Sequence, residues 1–382
     1  MRKNHRVLLV LGIFRSGTSA LTKGLESLGA FLGDSLLPAN QFNEKGHWED
    51  IQFHDFNVSM IASLEGRRRL ILPLTQEEVI LLSEKGFFSQ AVALLRKKIS
   101  VSSISSVSRV LTMKDPRFSL LLPFWKKVFE HCNVTSSFVI SLRDPRGVVA
   151  STTYRHKSFK REHEEKLFWR WCSYLLSCLE FSQGYERILV NYNELLKNPA
   201  YQMKRIAHAL KLTVNQEAVQ RYNDDFIDPS LCHFQANENN ACVSSFYQQF
   251  AMEIYEALLL IAKDQSTFEA LNILLPQWQK QFVRAYSLLV LAEKNDWTVE
   301  DLKQTMIKHQ NVLVECNKTI NKKKHSIATL CQTLHQRNLQ LSSLVQEQAK
   351  KDFEILQLKQ QLQPRVSTRK LSQAWKTTNA LS

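Results

Sequence analysis

The sequence predicts an α/β fold in which helices flank a parallel β-sheet, followed by an α-helical region and a C-terminal coiled coil. Three patterns lead to this prediction. Short β-rich runs alternate with helical stretches from residue 6 to about 225, two amphipathic stretches follow without a strand between them, and an apolar heptad runs from about Leu313 to Leu362. The predicted domains are a sheet domain at 1–235, a helical extension at 236–300, a coiled coil at 301–363 and a disordered basic tail at 364–382.

Apolar runs bounded by turn residues predict the strands, and the periodic stretches between them predict the helices. The predicted strands are Arg6–Leu11, Arg109–Met113, Ser136–Leu142 and Arg187–Asn191. The predicted helices are Thr18–Leu28, Phe118–His131, Arg146–His156, Glu162–Gln183 and Ala200–Leu210. Strands joined through helices pair in parallel, and the ligands of such sheets bind at the carboxyl ends of the strands.

The C-terminal heptad has two seams of unequal quality. The first seam is apolar except at Gln348, whereas the second alternates apolar residues with the cations Lys323, Arg337 and Lys351. This pattern predicts an imperfect coiled coil that mediates self-association or binds a protein partner. Pro364 is expected to end the helix.

Composition and charge restrict the classes of ligand. The 382 residues carry a formal net charge of +14, which favours an anionic ligand such as a phosphorylated cofactor or an acidic glycan. The basic residues are dispersed without a recognisable nucleic-acid module, so no nucleic-acid partner is expected.

No run of the sequence approaches the ~20 apolar residues of a membrane span. The seven cysteines include no C-x-x-C pair, which predicts a cytoplasmic protein without a metal site.

A phosphate-binding loop is predicted where the first strand meets the first helix. The segment Gly12 to Ser19 reads GIFRSGTS, close to the nucleotide-binding pattern G-x-x-x-x-G-K-[ST], but Thr18 occupies the lysine position. Backbone N–H groups and the helix dipole stabilise an anion in such a loop, and Arg15 adds a cation. The missing lysine argues against a kinase. An ordinary tight turn between strand and helix is the structural alternative.

A second candidate anion site follows the third strand. Arg143 stands at the strand end and Ser151 lies in the next helix, where the two side chains can converge on one anion. The alternative is that Arg143 pairs with a local acid and Ser151 is a helix surface residue.

Together, the two motifs resemble those of the sulfotransferases that depend on 3′-phosphoadenosine 5′-phosphosulfate (PAPS). The resemblance implies a P-loop-type sheet and no metal. It implies that the 3′-phosphate is bound by Arg143 and Ser151, with Arg15 on the sulfate side. It also implies that the 5′-phosphosulfate is bound by Arg15, Ser16, Gly17, Thr18 and Ser19.

Sulfuryl transfer to a hydroxyl group needs a base for the acceptor proton and a cation for the transferring group. The Lys-Asp-Pro segment at Lys114 resembles the tyrosylprotein and bacterial branches of the family, which implies that this lysine lies at the sulfuryl group. NEKGHWED, at Asn43–Asp50, resembles a bacterial motif, and Glu49 occupies the position where the family often has its catalytic carboxylate. His47 is the rival base, and Asp50 is expected to cap the next helix.

The sequence therefore predicts a PAPS-dependent sulfotransferase that acts on a hydroxyl group. By analogy with bacterial relatives, the expected acceptor is a carbohydrate or a glycan precursor. Two alternatives stay open: a non-catalytic scaffold that acts through its coiled coil, and a P-loop kinase.

Overall fold

The computed structural model describes residues 5–40, 43–64, 72–105, 110–155, 161–228 and 245–378. Its strands are β1 (Arg6–Leu11), β2 (Val110–Lys114), β3 (Thr135–Leu142) and β4 (Arg187–Asn191). The helices of the first half are α1 (Thr18–Glu26), α2 (Ile51–Ala62), α3 (Gln76–Glu84), α4 (Phe87–Ser105), α5 (Phe118–His131) and α6 (Pro145–Arg155). Those of the second half are α7 (Arg161–Phe181), α8 (Tyr192–Lys197), α9 (Pro199–Ala209), α10 (Gln216–Arg221), α11 (Phe246–Ala262) and α12 (Leu271–Thr378).

Within the described residues, the strands form one parallel sheet in the order β2-β1-β3-β4. The register pairs Val10 of β1 with Lys114 of β2 and with Val139 of β3. All four strands therefore end at the same edge, and the residues that follow them lie near one another. This arrangement confirms the predicted α/β class with a parallel sheet.

The sheet is covered on both faces because β1 alternates its apolar side chains between two cores. Val7, Leu9 and Leu11 belong to the larger core, while Leu8 and Val10 belong to the smaller one. All five are fully buried. A strand that is apolar at every position is what a parallel sheet covered on both faces requires.

Sequence patterns located most of these elements to within one or two residues. β1, β4 and α5 match the predictions, and α1 ends two residues earlier than expected. Arg109 and His156, at the ends of a predicted strand and a predicted helix, lie outside the described residues. The segment 51–105, for which no helix was predicted, contains α2, α3 and α4.

The helices beyond residue 245 begin as part of the sheet domain's core. Phe250, Ile254 and Leu258 of α11 are buried in the larger core. Trp169 of α7 stacks on Phe282 of α12, with 4.1 Å between ring centroids and 8° between planes. The chain divides into two compact units, Met1–Leu289 and Val290–Ser382. The described side chains of the predicted extension thus pack with the sheet domain as far as Phe282.

The C-terminal unit, taken by itself, is helical over its described residues. The helix does not end at Pro364 as predicted but continues to Thr378. The disorder predicted for residues 364–382 stays a prediction. Proline removes one backbone hydrogen bond and destabilises a helix without always ending it. In the part of the chain that the structure describes, no helix combines the length and apolar character needed to cross a membrane.

Candidate active site at the carboxyl edge of the sheet

The loop between β1 and α1 has the backbone geometry of an anion-binding turn. Gly12, Arg15 and Gly17 all have positive φ angles, of 139°, 68° and 90°. Gly17 precedes α1 directly, and a Cβ atom there would lie 2.0 Å from the Tyr192 ring. Only glycine fits this position, because both the backbone angle and the aromatic neighbour exclude a side chain. The helix N-terminus that follows favours a bound anion.

The loop hydroxyls have different roles. The Ser16 hydroxyl is fully buried and donates to the Ile13 carbonyl at 2.6 Å, so it stabilises the loop itself. Thr18 is buried at the first turn of α1, where its carbonyl accepts from the Thr22 hydroxyl. Ser19 points to the candidate catalytic residues and accepts a hydrogen bond from Lys114 Nζ at 3.2 Å.

Lys114 and Glu49 form a buried ion pair at the end of β2. Lys114 Nζ donates to Glu49 Oε1 at 2.7 Å and to the His47 carbonyl at 2.8 Å. The exposed fractions of Lys114 and Glu49 are 5% and 6%. Burial raises the pKa of the Glu49 carboxyl, and the nearby Lys114 charge opposes this shift without cancelling it. A carboxyl group with a raised pKa beside a cation is suited to take up a proton.

His47 contributes its backbone to this cluster, whereas its ring is held elsewhere. The ring nitrogens lie 2.8 Å from the Asn40 amide nitrogen and 3.4 Å from that of Asn43. Asn43 also donates to the Ser19 hydroxyl at 3.2 Å. The side chain of Glu49, the first candidate for the base, contacts Lys114 directly.

Arg143, Ser151 and Arg15 form a second cluster, at the end of β3. Arg15 Nε donates to the Ser151 hydroxyl at 3.0 Å, and Arg143 Nη1 donates to the Arg15 carbonyl at 2.7 Å. Arg143 also lies over the Tyr192 ring, 4.7 Å from its centroid. The predicted anion-binding residues are therefore adjacent, and the loop connects them to Ser19 and the first cluster.

Local acids near these clusters pair with other cations. Asp144 pairs with Arg146 at 2.7 Å. Asp50 caps α2 as expected, accepting from the backbone N–H groups of Gln52 and Phe53. Asp144, the acid next to Arg143 in the sequence, is thus held by Arg146.

Two buried networks hold the residues around the cluster, and the one centred on Lys98 was not indicated by sequence patterns. Lys98 of α4 is fully buried and bonds to the carboxylates of Asp50, at 2.5 Å, and Asp34. Asp115 is fully buried and accepts from the Asn57 amide and the Arg117 backbone. These contacts fix the chain on either side of Glu49 and Lys114.

Sequence reasoning also missed Tyr192, which closes the loop from above. It is the first residue after β4, so its position at the shared strand edge could have identified it.

A cavity of about 520 Å³ lies at the opposite end of β4, but the two arginines that line it bind other protein groups. Arg205 pairs with Asp264 at 2.6 Å, and Arg187 donates to the Leu179 carbonyl at 2.7 Å. The carboxyl edge therefore remains the candidate site.

The sequence model of the sulfotransferase domain family matches residues 5–248, which include both clusters. No curated protein gives a significant match to the chain.

Several solved structures resemble the chain at low sequence identity. The sulfotransferase domain of the olefin synthase from Synechococcus PCC 7002 is 14% identical, covers 68% of this chain and 96% of its own, and has a TM-score of 0.42. The sulfotransferase STF1 from Mycobacterium tuberculosis is 12% identical, with coverages of 67% and 77% and a TM-score of 0.39. A mouse sulfotransferase in complex with PAP is 14% identical, with coverages of 62% and 69% and a TM-score of 0.32.

Proposed function

The chain belongs to the sulfotransferase family, and we propose that it transfers a sulfuryl group from PAPS to a hydroxyl group of an acceptor. The observation that carries this proposal is the buried pair of Lys114 and Glu49, whose lysine also contacts Ser19 of the phosphate-binding loop. A base and a cation are thus held together beside a loop suited to an anion, as sulfuryl transfer requires.

The donor set of the site suits a ligand with two separate anionic groups. Arg143 and Ser151 would hold the 3′-phosphate, and the loop from Arg15 to Ser19 would hold the 5′-phosphosulfate. The absence of a side chain at Gly17 lets the backbone approach closely, and Tyr192 fixes the loop above it. Thr18 stands where nucleoside triphosphate-binding loops have their lysine, so the loop does not support the kinase alternative.

Each catalytic candidate has one step in this proposal. PAPS, when bound, supplies the sulfuryl group and leaves as adenosine 3′,5′-bisphosphate (PAP). Glu49 takes the proton from the acceptor hydroxyl as the hydroxyl oxygen forms its bond to sulfur. Lys114 donates a hydrogen bond where negative charge develops on the bridging oxygen, and Arg15 offers a further cation on the sulfate side. The proton on Glu49 then passes to solvent.

We propose Glu49 rather than His47 as the base because the contacts differ. The Glu49 carboxylate touches the Lys114 ammonium, whereas the His47 ring lies between the amide nitrogens of Asn40 and Asn43. A raised pKa also makes the Glu49 carboxylate a stronger base than a solvated one.

For the acceptor we propose a carbohydrate or glycan precursor, which the net charge of +14 supports if the acceptor is anionic. We further propose a cytoplasmic location. The described cysteines are all free thiols, while Cys232 and Cys242 lie outside the described residues.

The proposal can be tested by following sulfur-labelled PAPS into hydroxyl-bearing carbohydrates, with PAP binding measured in parallel. Lys114→Met and Glu49→Gln are expected to lower transfer by roughly two orders of magnitude or more while PAP still binds. Glu44→Gln, at an exposed position of the same segment, is the matched control and should transfer normally. PAP binding without transfer in the wild type would favour the scaffold, and unchanged transfer by the two variants would refute the assigned roles.

A further inference from the structure

The C-terminal helix presents a long apolar stripe to solvent. In this unit the seam residues are about half exposed or more, with Ile320 at 48% and Leu341 at 62%. Soluble proteins rarely leave a continuous stripe of this kind uncovered, and an apolar heptad repeat is what a second helix covers. The described side chains from Leu313 to Leu358 supply six to seven heptads of such a seam.

The two seam positions differ in charge. The first position of the heptad, termed position a, is occupied by Leu313, Ile320, Ile327, Leu334, Leu341, Gln348 and Ile355. The fourth, termed position d, is occupied by Cys316, Lys323, Leu330, Arg337, Leu344, Lys351 and Leu358. Every second d position from Lys323 onward is thus a cation, and the d positions between them are leucine or, at the start, Cys316.

This charge pattern disfavours a parallel pair of identical chains in register. In that arrangement each d residue faces its own copy, so Lys323, Arg337 and Lys351 would each meet a like charge in the seam. The flanking positions do not decide the orientation, because Glu347 of one chain would lie beside Asp352 of the other, while Glu354 would lie beside Lys359.

We propose that two copies of this chain pair through residues 313–358 as an antiparallel coiled coil whose two-fold axis passes between His335 and Gln336. In an antiparallel pair each a residue faces a d residue of the second copy. The register then pairs apolar residues in four kinds of layer: Leu313 with Leu358, Cys316 with Ile355, Ile327 with Leu344, and Leu330 with Leu341.

In the same register, each polar seam residue lies beside a residue that tolerates it. Lys323 faces Gln348, the polar exception of the a seam, and Arg337 lies beside Leu334. The aliphatic part of the Lys351 side chain faces Ile320 of the second copy. Its ammonium group donates to Glu347 of its own helix at 2.7 Å. At the flank, Lys324 of one copy lies beside Asp352 of the other, so opposite charges meet on both sides of the axis.

Other antiparallel registers are worse. A shift by one heptad in either direction leaves two kinds of apolar layer instead of four and places cations against Leu or Ile. A shift by two heptads leaves three kinds of apolar layer and shortens the length over which the two helices pair. The axis beside His335 therefore satisfies the apolar and the polar positions together.

Disulfide cross-linking of the full chain, with diamide as the oxidant, tests the orientation. The antiparallel register places Cys316 against Ile355, so Ile355→Cys should give a covalent dimer through Cys316, while the wild type should not cross-link at Cys316. Adding Cys316→Ser to Ile355→Cys should abolish the cross-link. Cross-linking of the wild type through Cys316, or of the double variant through position 355, each located by peptide mapping, would indicate a parallel pair and overturn the proposal.

Sedimentation of the unmodified chain tests the association itself. We expect a dimer at micromolar concentration, with Asp352→Lys raising the dimer Kd about three- to tenfold, since it brings a cation against Lys324. The charge exchange Lys324→Glu with Asp352→Lys should restore the wild-type Kd, and Glu315→Lys, on the outer face, is the control. A monomer, a trimer, or tighter association of Asp352→Lys would each contradict the antiparallel dimer.

Discussion

The buried lysine behind the candidate site, Lys98, provides a stringent test of how the catalytic segment is held. Its side chain is fully buried and pairs with Asp50, whose own side chain is 4% exposed. Lys98→Met would leave the Asp50 carboxylate buried without its cation. Removing one partner of a buried pair costs about 3–5 kcal/mol, so we expect a loss of that size in the free energy of unfolding.

A second substitution separates this charge effect from packing. Asp50→Asn retains an oxygen that can cap α2 and removes the charge, so the double variant Lys98→Met with Asp50→Asn should be more stable than Lys98→Met alone by about 1–3 kcal/mol. Urea unfolding of the four proteins gives the coupling directly.

The neighbouring lysine on the same helix is the matched control. Lys97 is exposed, and Lys97→Met should change the free energy of unfolding by at most about 0.5 kcal/mol. If Lys98→Met were no worse than Lys97→Met, the reasoning would be refuted, because the buried pair would then contribute nothing to holding the segment.

Three further predictions concern the site itself. Gly17→Ala should lower PAP affinity at least about tenfold in calorimetry, because the new Cβ meets the Tyr192 ring at 2.0 Å and φ is +90°; unchanged affinity would contradict the loop geometry. Carbon NMR should find the pKa of Glu49 above its ordinary value and higher still in Lys114→Met, because burial raises this pKa and the lysine opposes the shift. The rate of transfer should fall as the pH drops through the pKa of Glu49, since the protonated carboxyl cannot act as a base. A pKa below the ordinary value would contradict the assignment. Asp115→Ala should destabilise the fold by about 2–4 kcal/mol in urea unfolding, because it leaves an amide and a guanidinium partner unpaired, and a loss under about 1 kcal/mol would show that these groups find other partners.

Much of the sheet domain could be predicted because its signals are local. β1 is apolar at every position after Arg6, and α5 has a strong apolar face, so the apolar pattern placed both. Two of the proposed site residues also followed from one rule, that polar residues at the ends of parallel strands share an edge, whereas Glu49 came from a resemblance to a family motif. Lys114 and Arg143 were identified in this way.

The parts that were missed depend on long-range packing. α2 carries apolar residues around most of its surface, so it has no clear polar face to reveal its period. Lys98 looks like its exposed neighbour Lys97 in sequence, and only the fold brings it to Asp34 and Asp50. Pro364 was weighted too heavily as a helix end, since it lies within a long helix that continues beyond it.

Stabilisation of the protein by PAP tests the central claim most directly. We expect PAP at about 100 times its Kd to raise the free energy of unfolding by about 2.7 kcal/mol, and ATP with magnesium to have no comparable effect. Arg143→Ala should abolish the PAP effect, and Arg221→Ala, at an exposed position of α10, should retain it. Stabilisation by ATP with magnesium instead of PAP, or an undiminished PAP effect in Arg143→Ala, would contradict the proposed donor site.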